Sequence, residues 1–175
     1  MFPSLTSYVA LVLSLLALGL GACHPADTTA GRAATSTDVP EALGWVSDHA
    51  GLLQPADLDR LEQLLLDFER ETGNEFAVLL VASTNGEAIE AYSLRVAREW
   101  QIGKPGFGNG LLIVVASEDQ KVRIEVADGL SAQSISDSVA KDVIDRHFLP
   151  AFADEAWGDG LYRGIQALIQ ATEET

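Results

Sequence analysis

EFAVLLVA, residues 75–82, is a continuous apolar run of strand length, the kind of strand that is covered on both faces. It is followed by a segment in which Ile89, Tyr92, Val96 and Trp100 fall on one side at helical spacing. Next come LLIVVA (111–116), the polar turn Ser117-Glu118-Asp119-Gln120, and KVRIEVA (121–127). Two strands joined by so short a polar link read as an antiparallel hairpin. The strand-helix-strand unit before it predicts a right-handed crossover between parallel strands. In the last strand Val122, Ile124 and Val126 alternate with Lys121, Arg123 and Glu125, so one face is partly wet and the strand lies at an edge or lines a cleft.

Upstream of this unit, Pro55 stands where a helix begins. Leu58, Leu61, Leu65 and Phe68 recur at helical spacing, and Gly73 is a C-terminal stop. Downstream, Ile135, Val139, Val143 and Phe148 predict one helix, and Leu161, Ile165, Leu168 and Ile169 another. Pro150 and the turn over residues 154–160 divide the two. The order helix, strand, helix, strand, strand, helix, helix predicts an α/β fold. We expect a three-layer α/β/α sandwich with a small mixed sheet, Rossmann-like, spanning residues 43–173.

The whole chain has 175 residues, 47% of them hydrophobic, which suits one globular domain with an appendage. Eleven basic residues against 26 acidic ones give a formal charge of −15, which repels a polyanion and excludes nucleic acid as a partner. The acids are scattered along helical stretches (Asp57, Asp59, Glu62, Asp67, Glu69, Glu71), the pattern of solvated helix faces.

The appendage is amino-terminal. VALVLSLLALGL (9–20) is too short to span a bilayer, which takes ~20 residues, and fits the core of a signal peptide over residues 1–22. Leu20-Gly21-Ala22-Cys23 resembles a bacterial lipobox, which implies lipidation of Cys23, the only cysteine of the chain. The preceding MFPSLTSY lacks the usual basic residue, and His24 follows the cysteine where aspartate would signal inner-membrane retention. Residues 24–41, HPADTTAGRAATSTDVPE, hold too little apolar surface to fold, so residues 23–42 read as a lipidated cysteine and flexible tether. The expectation is an exported protein, lipid-anchored to the cell envelope membrane.

The loop GKPGFGNG (103–110) invites comparison with a phosphate cradle. Its spacing fits neither G-x-G-x-x-G nor a P-loop. It also opens a strand instead of a helix, so no helix amino terminus faces a phosphate. No nucleotide is expected.

Several short stretches, in order, resemble the TPM domain. They are Gly44-Trp45-Val46-Ser47-Asp48 with Gly51-Leu52-Leu53, Glu71-Thr72-Gly73-Asn74-Glu75-Phe76-Ala77-Val78, Ile102-Gly103 through Asn109-Gly110-Leu111-Leu112, Val122-Arg123-Ile124-Glu125-Val126, and Leu149-Pro150-Ala151-Phe152. The resemblance implies an α/β/α sandwich and, for some members, acid phosphatase activity and divalent-cation binding. One departure stands after the arginine strand. Members usually read glycine, aromatic, glycine, leucine, glutamate there, whereas this chain has Ala127-Asp128-Gly129-Leu130-Ser131.

If the hairpin is antiparallel, Asn109 and Asp128 lie at the same sheet edge. Asp48 matches an acidic position of the family and is expected to approach that edge, with Asp137 arriving from the start of a helix. Such a ring of oxygens would suit Ca²⁺ or another divalent cation better than zinc, although each acid alone also reads as a helix cap or turn former. His49 and His147 have no serine partner and no G-x-S-x-G elbow occurs, so hydrolysis would need metal-assisted attack by water, with Arg123 on the phosphoryl oxygens. The reading is a membrane-tethered accessory or binding domain that assists an envelope or membrane protein complex. The alternative is a low-activity, metal-dependent acid phosphatase.

Overall fold

The computed structural model describes residues 38–173. The signal sequence, the lipobox and Cys23 lie outside the described residues. In chain order the elements are β1 (Val46–Asp48), α1 (Pro55–Thr72), β2 (Glu75–Val81), α2 (Ile89–Glu99), β3 (Gly110–Ala116) and β4 (Lys121–Val126). There follow α3 (Asp128–Gln133), α4 (Asp137–Val143), a π-helical segment (Ile144–Phe148), α5 (Leu149–Ala153) and α6 (Trp157–Glu173).

The four strands form one sheet in the order β1-β2-β3-β4. β1, β2 and β3 are parallel, and β4 is antiparallel to β3 with Leu111 opposite Val126 and Ala116 opposite Lys121. The alternation along β2 and β3 divides the interior in two. Phe76, Val78, Leu80, Leu111, Ile113 and Val115 meet Leu61, Leu65 and Phe68 of α1 and the apolar stripe of α6 in the larger core. Ala77, Leu79, Val81, Leu112, Val114 and Ala116 meet Ile89, Tyr92 and Val96 of α2 in the smaller one. Helices thus cover both faces, and the expected three layers are present.

The strand order advances in one direction from β1 to β3 while α1 and α2 pack on opposite faces. The two crossovers therefore have opposite hands, and one departs from the right-handed rule. The strand β1 was missing from the sequence reading because three residues show no period. Its position is held by α1: the Glu62 carboxylate accepts from the Val46 N–H at 2.8 Å and from the Trp45 N–H at 3.4 Å.

Two boundaries differ from expectation. Val39 packs against the smaller core, the Trp100 indole donates to the Pro40 carbonyl at 2.9 Å, and His49 Nε2 contacts the Glu41 carbonyl at 2.9 Å. Residues 39–41, assigned to the tether by composition, are thus docked on the domain; one valine and two carbonyls suffice where a tryptophan receives them. Pro150 does not end a helix either. The Leu149 N–H reaches back five residues to the Ile144 carbonyl, and this widened turn carries the helical path past Pro150, which has no N–H to give.

Candidate functional site

Parallel strands place the residues after β1 and before β3 at opposite ends of the sheet. Asp48, half-buried, ends β1 beside Leu80, whereas the Asn109 carbonyl accepts from the Glu75 N–H at the start of β2. Six residues of β2 separate these levels, roughly 20 Å. Asp128 is exposed at the start of α3, and the Leu130 N–H bonds the Gly108 carbonyl at 3.0 Å, so Asn109 and Asp128 do share an edge. Asp137 is exposed in the first turn of α4, behind the Ser136 cap.

The expected ring of Asp48, Asn109, Asp128 and Asp137 is therefore not assembled: strand polarity sends Asp48 to the far edge. Among the described residues no group of three or more His, Cys, Asp and Glu is placed to hold a metal ion.

The side chains have local work instead. The Asp48 carboxylate accepts from the N–H groups of Gly51 and Leu53, both at 2.8 Å, and of Ala50 at 3.2 Å, closing the turn that leads into α1. Asn109 staples the glycine loop: its Oδ1 accepts from the Lys104 N–H at 2.8 Å while its Nδ2 donates to the Gly73 carbonyl. Arg123 is paired, its Nε lying 3.3 Å from Glu125, which also accepts from the Ser93 hydroxyl at 3.1 Å.

One acid escaped the sequence reading. The Asp119 carboxylate, in the hairpin turn, accepts from the Thr84 N–H and the Ser83 hydroxyl at 2.8 Å each and from the Thr84 hydroxyl at 3.0 Å. The Thr84 N–H first, then the Ser83 hydroxyl, hold it below the ordinary carboxylate value. This clasp joins the β3–β4 turn to the β2–α2 loop at the Asp48 edge. The paired hydroxyls at Ser83 and Thr84, directly after a buried strand, were the available signal.

At the opposite edge the glycine loop arches over an open cleft. Gly108, at φ 61°, lies so close to α3 that an added Cβ would sit 2.6 Å from the Gly129 nitrogen, and a Cβ on Gly103, at φ 90°, would sit 2.8 Å from the Gly110 nitrogen. The glycines thus serve close backbone approach. The cleft, about 900 Å³, is lined by Leu94 and Arg98 of α2, Phe107 of the loop, Glu125 and Asp128. Phe107 is 74% exposed and Leu94 38%. Sequence spacing could not show this, because the cleft is made by three segments distant in the chain.

The geometry can be set beside known proteins. The N-terminal domain of a protein from P. gingivalis, solved in solution, is 29% identical with a TM-score of 0.68, over 74% of this chain and 82% of that one. The BA42 protein of the psychrophilic bacterium Bizionia argentinensis is 21% identical with a TM-score of 0.63, over 73% and 86%. The N-terminal domain of cg2496 from Corynebacterium glutamicum is 20% identical with a TM-score of 0.54, over 79% and 85%. The latter two likenesses speak to the fold alone. No curated protein sequence matches the chain. The TPM domain profile matches residues 46–171, from β1 into the last turns of α6, and the chain belongs to the TPM domain family.

Proposed function

We propose that this protein is an accessory domain, tethered to the envelope membrane through a lipidated Cys23, that works by binding a membrane-associated protein at the cleft under the glycine loop. The observation that carries the reading is the cleft itself, open, about 900 Å³, and rimmed by the exposed apolar side chains of Phe107 and Leu94. The Asp48 carboxylate, at the acidic position to which the family resemblance points, is engaged in its turn, and Arg123 is engaged with Glu125. The tether rests on Leu20-Gly21-Ala22-Cys23.

A photo-crosslinking side chain at position 107, in cells making the full chain, is expected to give a discrete adduct with an envelope protein. The same group at Glu71, exposed near the end of α1, is expected to give none. The reading is abandoned if purified residues 24–175 hydrolyse a generic phosphomonoester with Ca²⁺ or Mg²⁺ and Asp48→Ala abolishes that activity. The tether has its own test: Cys23→Ser should release the protein from membranes, and unchanged membrane association would mean that the apolar segment is an uncleaved anchor.

A further inference from the structure

β4 ends the sheet, and its outer edge is unpaired among the described residues. The Ala127 N–H bonds the Gly110 carbonyl at 2.9 Å, which fixes the parity of the ladder: Lys121, Arg123 and Glu125 turn their backbone groups to β3, while Val122, Ile124 and Val126 turn theirs outward. No hydrogen bond joins those outward groups to another described residue. The Ile124 side chain is buried in the larger core, which fixes the strand at its centre while the outward backbone groups stay unpaired among the described residues. Leu149, 44% exposed, lines a cavity with Lys121 and Val122, and Leu94 lines the cleft with Glu125 and Val126, so exposed leucines flank both ends of the strand.

We infer that this edge is completed by β4 of a second copy of the chain, antiparallel, with Ile124 on the two-fold axis. Charge selects this register. Outward residues must pair with outward residues, so the axis passes through a residue or moves in single-residue steps. Centred on Arg123 it sets two arginines face to face; centred on Glu125 it sets two glutamates face to face. Centred on Ile124 it sets Arg123 opposite the second copy's glutamate twice, with no like pair, and engages residues 121–127 in full. Each Glu125, already 3.3 Å from its own Arg123, would then stand in a ring of alternating charge. The pairing shares Leu94, Glu125 and Val126 with the wall of the cleft but does not require the occupant proposed for it.

Residues 24–175 retain all the described residues, 38–173, and lack the native cysteine, so they suit the test. Sedimentation over a concentration series should show a monomer–dimer equilibrium. Arg123→Glu and Glu125→Arg should each weaken it about tenfold or more, and the combined exchange should restore it. Oxidation of the Arg123→Cys/Glu125→Cys variant should give a covalent dimer, whereas Arg123→Cys alone should not, because position 123 faces 125 of the other copy. A monomer at every concentration, a dimer indifferent to the charge exchange, or a cross-link from the single cysteine would each overturn the proposal.

Discussion

The two aspartates that anchor loops at the carboxyl ends of the parallel strands differ in what they predict. Asp48 satisfies three backbone N–H groups in the turn before α1, so Asp48→Ala leaves donors unpaired in a half-buried turn. The expected loss is about 1–3 kcal/mol, read from the urea midpoint, and a loss below about 0.5 kcal/mol would refute a structural role. Asp119 predicts a dependence on pH. Its folded pKa is depressed by the Thr84 N–H and the Ser83 hydroxyl, so its contribution is complete above the ordinary value of 3.8 and is lost as pH falls through the folded value. Asp119→Asn should therefore lower the urea midpoint at neutral pH, and the gap to the parent chain should narrow on acidification below about pH 4. A gap constant with pH would mean that the clasp is not built on the charge. Sequence reading found Asp48 as a polar residue of interest but not its partners, because a carboxylate that caps a turn and one that binds a cation are the same letter. Asn109 was legible as a residue near Asp128 for a better reason: antiparallel pairing alone puts the start of one hairpin strand beside the end of the other.

At the scale of elements, periodicity served where a face is long and failed where an element is short. Leu61, Leu65 and Phe68 on α1, and Ile89, Tyr92 and Val96 on α2, are buried as their spacing predicts. By contrast β1 and α3 have three and six residues, too few for either period to repeat. The segment 135–153 was legible in its core residues, since Ile135, Val143 and Phe148 are all buried, but not in its path past Pro150. Its packing partner supplies a test. Gly164, inside α6, faces the ring of Phe148, which is fully buried and stacked on Phe152 with 5.6 Å between ring centroids. Gly164→Ala sets two effects against each other: helix propensity favours alanine by about 1 kcal/mol, and overpacking against an immobile ring opposes it by about 1–3 kcal/mol. The added Cβ would overlap the ring itself, and Phe148 has no exposed side to which it can retreat, so the net effect should be destabilising. A Gly164→Ala chain with a raised thermal midpoint would show that the helix pair shifts more freely than its packing implies.

For the molecule as a whole, the sheet is covered unequally. α1, the helical path from α4 to α5, and α6 share the larger core, whereas among the described residues α2 alone forms the helical cover of the other face, with most of its sheet contact against β3 and β4. The remainder of that second core receives Val39, Trp100 and Ile102. Here the composition of the amino-terminal segment misled, since a stretch of small and polar residues reads as tether up to the point where one valine meets a tryptophan. The consequence is a sharp boundary for truncation. A chain beginning at Asp38 should melt like one beginning at His24, because it keeps Val39, the Pro40 carbonyl and the Glu41 carbonyl. A chain beginning at Leu43 loses all three, leaves the Trp100 indole N–H without its acceptor and opens the edge of the smaller core. One half-buried valine contact and one hydrogen bond together are worth about 1–3 kcal/mol, several degrees in the midpoint of a domain this size. Trp100→Phe removes the indole donor and separates the two contributions: combined with the truncation at Leu43 it should add little further loss, whereas in the chain beginning at Asp38 it should cost about 1 kcal/mol. Equal midpoints for the chains beginning at Asp38 and Leu43 would return residues 39–41 to the tether and leave the smaller core with α2 as its only cover.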